Sequence, residues 1–151
     1  MNPVFPLFCL QKETKPYGYL VEEAQDLSYC NLAWYYDSQQ NPELYFDASG
    51  TKVGRRLKLK RSFGRWQKLL SYFYWGKILV ESEWYIIGYY RFEELKEQVA
   101  LCVKADDDVM TQFIEAEHLT LLVQQARHFG DLYMVLQGAI YNSEDDDSLD
   151  A

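Results

Sequence analysis

The sequence predicts an α+β fold: one domain, mainly an antiparallel sheet, with about three helices packed on one face. Three observations carry this. A long strand-like run spans Ile78 to Phe92, the first half of the chain is rich in β-formers broken by turn residues, and helical periodicity dominates after residue 92. At a period of two, Ile78, Val80, Ser82, Trp84, Ile86, Gly88, Tyr90 and Phe92 share one face of the long run. Leu79, Glu81, Glu83, Tyr85, Ile87, Tyr89 and Arg91 share the other. A tight turn at Glu81-Ser82-Glu83 would divide it into two shorter strands, and periodicity alone leaves that alternative open.

Met1 to Leu10 reads as an opening strand. It has no basic leader, its apolar stretch is broken by Pro6, and Cys9 lacks the small residues of a lipid-attachment site. Gln11 to Gly18, with Pro16 and Gly18, reads as a loop, and Tyr19 to Leu27 fits a short helix or a strand. Tyr29 to Tyr36 is predicted as a strand, joined through Asp37 to Pro42 to a second at Glu43 to Asp47. Ala48-Ser49-Gly50 turns the chain into Thr51 to Lys60, where Leu57 and Leu59 alternate with Arg56, Lys58 and Lys60.

Ser62 caps a predicted helix through Trp75 in which Phe63, Trp66, Leu69, Leu70 and Phe73 recur at helical steps. Glu93 to Lys104 places Leu95, Val99, Cys102 and Val103 on one face, with acids early and a lysine last. Another helix is expected from Asp106 to Phe129, with Met110, Phe113, Ile114, Leu121, Leu122 and Gln125 inward and Gly130 as its stop. Leu132 to Ile140 fits a strand or a short helix. The domain is therefore placed at residues 1–141, and the acidic tail at 142–151 is expected to be disordered.

At 151 residues and 48% hydrophobic composition the chain can bury a core without metal or disulfides. Cys9, Cys30 and Cys102 are odd in number and widely spaced, which predicts free thiols. No apolar run reaches the roughly 20 residues that span a bilayer, so the expectation is a soluble, cytoplasmic protein that does not bind membranes.

Charge is sorted along the chain. Lys52 to Lys68 holds eight cations, including Arg55, Arg56, Lys58, Lys60, Arg61 and Arg65, and no acid. With a total of -8, the rest of the chain carries -16. The basic stretch suits polyanion binding, with Trp66 and Tyr72 near enough to stack, or a solvated face whose cations meet the protein's own carboxylates. The acids Glu81, Glu83, Asp106, Asp107, Asp108, Glu115 and Glu117 suit a field that steers a basic partner, with Trp84, Tyr85 and Tyr89 as aromatic anchors.

Catalytic and metal motifs are weak. His118 and His128 are ten residues apart on one predicted helix, about 15 Å, too far to share a metal. Position 114 is Ile where a zinc-protease pattern needs histidine, and the stretch Asp47 to Gly54 lacks the spacing of a phosphate loop. No cofactor is expected. The reading is a non-catalytic binding protein that docks a basic protein partner through an acidic, aromatic surface. A nucleic-acid-associated module using residues 52–68 is the alternative, and an enzyme whose site is assembled from scattered residues is the second alternative. In size and acidity the chain resembles immunity proteins, which inhibit toxins, although the likeness covers no motif. A sheet edge could also pair with a second copy.

Overall fold

The computed structural model describes residues 2–12, 16–60, 64–66, 69, 77–105 and 109–141. In chain order these form β1 (Leu7–Lys12), β2 (Pro16–Val21), a 3-10 turn (Ala24–Leu27), β3 (Tyr29–Cys30) and α1 (Leu32–Gln40). There follow β4 (Leu44–Asp47), β5 (Thr51–Leu59), β6 (Ile78–Tyr89), α2 (Phe92–Ala105), α3 (Ala116–Gln125) and α4 (Phe129–Tyr141). The six strands form one sheet in the order β2-β1-β4-β5-β6-β3. The pairs β4 with β5, β5 with β6 and β3 with β6 run antiparallel. The fold class is α+β, as the sequence predicts, with four α-helices delimited among the described residues in place of about three.

The chain divides into two compact units, Met1–Cys9 with Val21–Tyr89, and Leu10–Leu20 with Tyr90–Ala151. In the first, β6 is one unbroken strand of twelve residues, so the alternative turn at Glu81 to Glu83 does not form. Its even-numbered side chains face inward as far as Trp84, because the partner strand β5 places Val53, Arg55 and Leu57 on that side. Val53 and Ile86 are partners, as are Lys52 and Gly88, so Ile87 is the extra residue of a β-bulge. Helix α1 packs on this sheet through Leu32, which joins Leu57, Ile78 and Val80 in a buried cluster edged by Cys30, Trp34, Tyr35 and Leu59.

Three local readings are corrected. Tyr29 to Tyr36 is a strand for two residues only. Asn31 then adopts extended backbone and its Oδ1 accepts the Trp34 N–H at 2.7 Å, capping α1. A side-chain cap thus overrides a run of β-formers, and the strand that pairs with β4 is β5. Gln11 to Gly18 is not a loop throughout, since β1 continues to Lys12 and β2 begins at Pro16.

The β4–β5 turn is fastened by Asp47, a fully buried carboxylate. Its Oδ1 accepts the N–H groups of Ser49 and Thr51 at 2.9 Å and the Ser49 hydroxyl at 2.7 Å, while Oδ2 accepts the Val4 N–H at 3.2 Å. Gly50 completes the turn at φ 89°, a left-handed conformation that a side chain would strain.

In the second unit, Leu95, Val99, Cys102 and Val103 of α2 are buried as their spacing predicts. The helix expected from Asp106 to Phe129 is shorter and is followed by another. α3 spans Ala116–Gln125 with Ala126 as its C-cap, and His128 opens α4 by accepting the Asp131 N–H at Nδ1, 3.2 Å away. The Asp131 carboxylate in turn accepts the Arg127 N–H at 3.0 Å. Starting at Ala116 resets the helical phase, so Leu119 and Val123 face inward, while Leu121 and Phe113 are exposed. Gly130 lies inside α4, and Leu132 to Ile140 is helical, with Leu132, Leu136 and Ala139 buried. Of the helix expected at Ser62 to Trp75, Arg65, Trp66 and Leu69 are helical. Gly64 is described and not helical, while the remaining positions of that stretch, Arg61, Asp106 to Asp108 and the tail lie outside the described residues. No helix among the described residues is long and apolar enough to cross a membrane.

Candidate functional site

Pairing β5 with β6 sorts the basic stretch onto two faces. Arg55 belongs to the inner row with Val53 and Leu57 and is only 5% exposed. A buried guanidinium requires partners for its donors. Nε donates to Ser82 Oγ at 2.8 Å, Nη1 to the Tyr45 hydroxyl at 3.4 Å, and Nη2 to the Leu27 carbonyl. Nη1 also lies 3.7 Å from Oε2 of Glu43, itself 7% exposed, and the same Oε2 accepts the Tyr45 hydroxyl. Burial pushes the Tyr45 phenol upward, with the Glu43 charge adding to the effect.

This network is enclosed, so Arg55 is not available to a polyanion. Sequence reasoning grouped Arg55 with the outward cations. A charge in an otherwise apolar row at a period of two was the signal that set it apart.

Cys30 lies at the rim of this cluster. Burial raises its thiol to about 11, with Arg55 opposing and Glu43 adding. Cys9 and Cys102 are buried and form no disulfide. In the folded protein a water-soluble thiol reagent should therefore label none of the three quickly at neutral pH. Cys30 reactivity should climb about tenfold per pH unit past pH 9 and level near 11. A plateau at pH 9, measured with a Cys9→Ala/Cys102→Ala chain, would contradict this.

On the outer face Arg56, Lys58 and Lys60 are exposed, and so is Arg65 further along. Lys58 forms an ion pair with Glu83 at 3.0 Å, and its direct cross-strand neighbour is Glu81. Arg56 stands opposite Glu83 and 5.9 Å from the centre of the Tyr85 ring. Gly54 is the seat of that ring: a Cβ there would lie 2.2 Å from Tyr85 Cζ. Glu81 and Glu83 therefore sit among cations and form no continuous negative field. Trp84 points to the other face, half-buried, edge-on to Tyr45 at 5.2 Å and to Phe5 at 6.5 Å. Tyr89 is 76% exposed, and Tyr85, Ile86 and Ile87 are exposed beside it.

In the second unit Glu115 and Glu117 begin α3 and are exposed. Glu115 stands at the N-cap position, where its carbonyl accepts the Leu119 N–H at 2.9 Å. His118 is exposed on α3, while His128 caps α4, so the two histidines are on different elements and not on one helix. Among the described residues no three metal-ligating side chains cluster.

Glu117 lines a groove between α2 and α3 that the sequence did not reveal. One pocket of about 520 Å³ is bordered by Glu93, Glu97, Ala100, Leu101 and Lys104. An adjoining one of about 350 Å³ is bordered by Ala116, Glu117, Thr120 and Leu121. Lys104 and Gln124 border both. Leu101 is 50% and Leu121 55% exposed, one from each helix.

Lys96 ties the two helices together: Nζ donates to the Gln124 and Ala126 carbonyls at 3.1 and 3.2 Å, closing the end of α3, and pairs with Glu93 at 3.0 Å. That lysine is spent on the fold. From Phe92 to Gln125 the chain carries eight carboxylates against two lysines. The arrangement is thus an open trough bordered by two exposed leucines in a strongly acidic segment.

Comparison with protein-family models, with curated proteins and with solved structures finds no match to this chain.

Proposed function

We propose that the chain is a non-catalytic binding protein that docks a basic protein partner, and that the α2–α3 groove is the docking site. The observation that carries this is the combination of exposed Leu101 and Leu121 with an acidic rim of Glu93, Glu97 and Glu117, where, among the described residues, Lys104 is the lining cation not already committed. An amphipathic helix of the partner, leucine-like residues inward and lysines or arginines outward, is the occupant this chemistry favours. Apolar contact supplies affinity, and the carboxylates supply steering and rejection of acidic competitors. A partner whose own nucleic-acid or substrate cleft is basic would be blocked by such docking, which is how an immunity-type inhibitor acts on a toxin.

The β6 acids contribute less, because Lys58 and Arg56 answer them. The aromatic anchors reduce to Tyr85 and Tyr89, with Trp84 committed to Tyr45 and Phe5. Three exposed cations, Arg56, Lys58 and Lys60, remain on β5 and its end, and Lys58 is ion-paired.

The test is capture of a stoichiometric, basic partner from native extract by the purified chain at low salt. Leu101→Ser/Leu121→Ser should weaken the complex at least about tenfold. Arg56→Ser/Lys58→Ser/Lys60→Ser should leave it intact. Loss with the second variant and retention with the first would replace this reading with polyanion binding through β5.

A further inference from the structure

We infer that the α2–α3 groove is polar along its length and takes a partner helix in one direction, antiparallel to α2. The cationic last turn of that helix lies against Glu93 and Glu97, and a carboxylate of its first turn lies against Lys104. The inference rests on the docking reading and deepens it.

The two helices fix the layers of the groove. Lys96 of α2 reaches the Gln124 and Ala126 carbonyls at the C-terminal end of α3, while Lys104, near the end of α2, shares a pocket with Ala116 and Glu117 at the start of α3. α2 and α3 therefore run antiparallel. Counted from the Lys96 contact, Glu97 comes level with Gln124, Leu101 with Thr120 and Leu121, and Lys104 with Glu117. Glu93, Glu97, Leu101 and Lys104 recur at steps of four, four and three, so they form one stripe of α2 along the groove.

Charge differs between the two ends. At the start of α2, Glu93 and Glu97 are exposed, whereas the side chain of Lys96 is 12% exposed against 75% for Glu93, and its ammonium is held by carbonyls. A docked helix meets carboxylates there. At the other end, about 10 Å from Glu97 and about 16 Å from Glu93 along the helix axis, exposed Lys104 offsets Glu117. Leu101 and Leu121, each about half exposed, supply apolar contact whichever way the helix lies, so the charges decide its direction.

The occupant follows from this polarity. A helix is itself most stable with a carboxylate in its first turn and lysines or arginines in its last, because those charges complement its dipole. Laid antiparallel to α2, such a helix sets its first-turn carboxylate near Lys104 and apolar residues three and four positions later against Leu101 and Leu121. Cations seven and eleven positions after the carboxylate then reach Glu97 and Glu93. Laid the other way, both of its ends would meet like charge.

The probe is a lactam-bridged amphipathic peptide with this charge order and a nitroxide at its C-terminus, and paramagnetic broadening of backbone amides in the full chain shows where that end lies. Broadening should fall on Glu97 and Gln124 rather than on Lys104 and Glu117, with the two directions populated at least about fivefold apart. Glu97→Lys/Lys104→Glu keeps the net charge and the apolar contacts, and should turn the bound peptide round, moving the broadening to position 104 and Glu117. Equal broadening at both ends, broadening at the wrong end of the parent, or no reversal in the exchanged chain would overturn the polarity. The groove itself would stand in those cases if Leu101→Ser/Leu121→Ser still weakened the peptide at least about tenfold. A peptide that does not bind, or that binds the serine variant equally well, would overturn both readings.

Discussion

Arg55→Met should destabilise the chain by about 3–5 kcal/mol, the cost of leaving a buried charge without its partner. Methionine fills the volume but supplies no donor, so Glu43 keeps a charge that is 7% exposed, and Ser82 and the Leu27 carbonyl lose their shared anchor. Chemical denaturation of the parent and the variant measures the difference. Arg55→Met/Glu43→Leu should recover much of the loss, because a pair of apolar residues can replace a buried ion pair at little cost. A single variant within about 1 kcal/mol of the parent would mean that the guanidinium does not hold this part of the sheet together.

The second large effect is expected at Asp47. Asp47→Ala removes the acceptor for three backbone N–H groups, those of Val4, Ser49 and Thr51, together with the Ser49 hydroxyl. Unsatisfied buried donors cost about 1–3 kcal/mol each, and since water can reach some of them on relaxation, a total of about 2–4 kcal/mol is expected. Amide exchange at Thr51 should accelerate together with that at Val4, although 47 residues separate them in sequence. Faster exchange at Thr51 alone would show that the carboxylate does not tie the opening segment to the turn.

These two residues also mark how far sequence reasoning reaches. The long strand, its alternation and the buried face of α2 were legible because periodicity reports burial directly, and Leu95, Val99, Cys102 and Val103 fell where spacing put them. α1 was not, because a single Asn31 cap decides between strand and helix in a run of aromatic β-formers. The inner row of α3 was misassigned for a related reason: one long helix was assumed from Asp106, whereas α3 starts only at Ala116, which resets the phase. Leu121 was consequently read as core when it is exposed at the groove.

The candidate site was legible only in part. Acidity on α3 could be read from Glu115 and Glu117, and an exposed ring from Tyr89. What sequence could not supply was which charges meet. Lys58 reaches Glu83, Arg56 lies against Tyr85, and Lys96 closes the end of α3, contacts made between elements that are distant in the chain. Those pairings set Glu81 and Glu83 of β6 among cations.

The claim that an acidic, leucine-bordered groove grips a basic partner is tested most directly by the salt dependence of the captured complex, measured for the parent and for Glu97→Lys/Glu117→Lys. Affinity of the parent should fall steadily from low to physiological ionic strength as the charges are screened. The charge-reversed chain should bind weakly at low salt and gain as salt rises. Equal affinities for the two chains, unaffected by salt, would contradict the account.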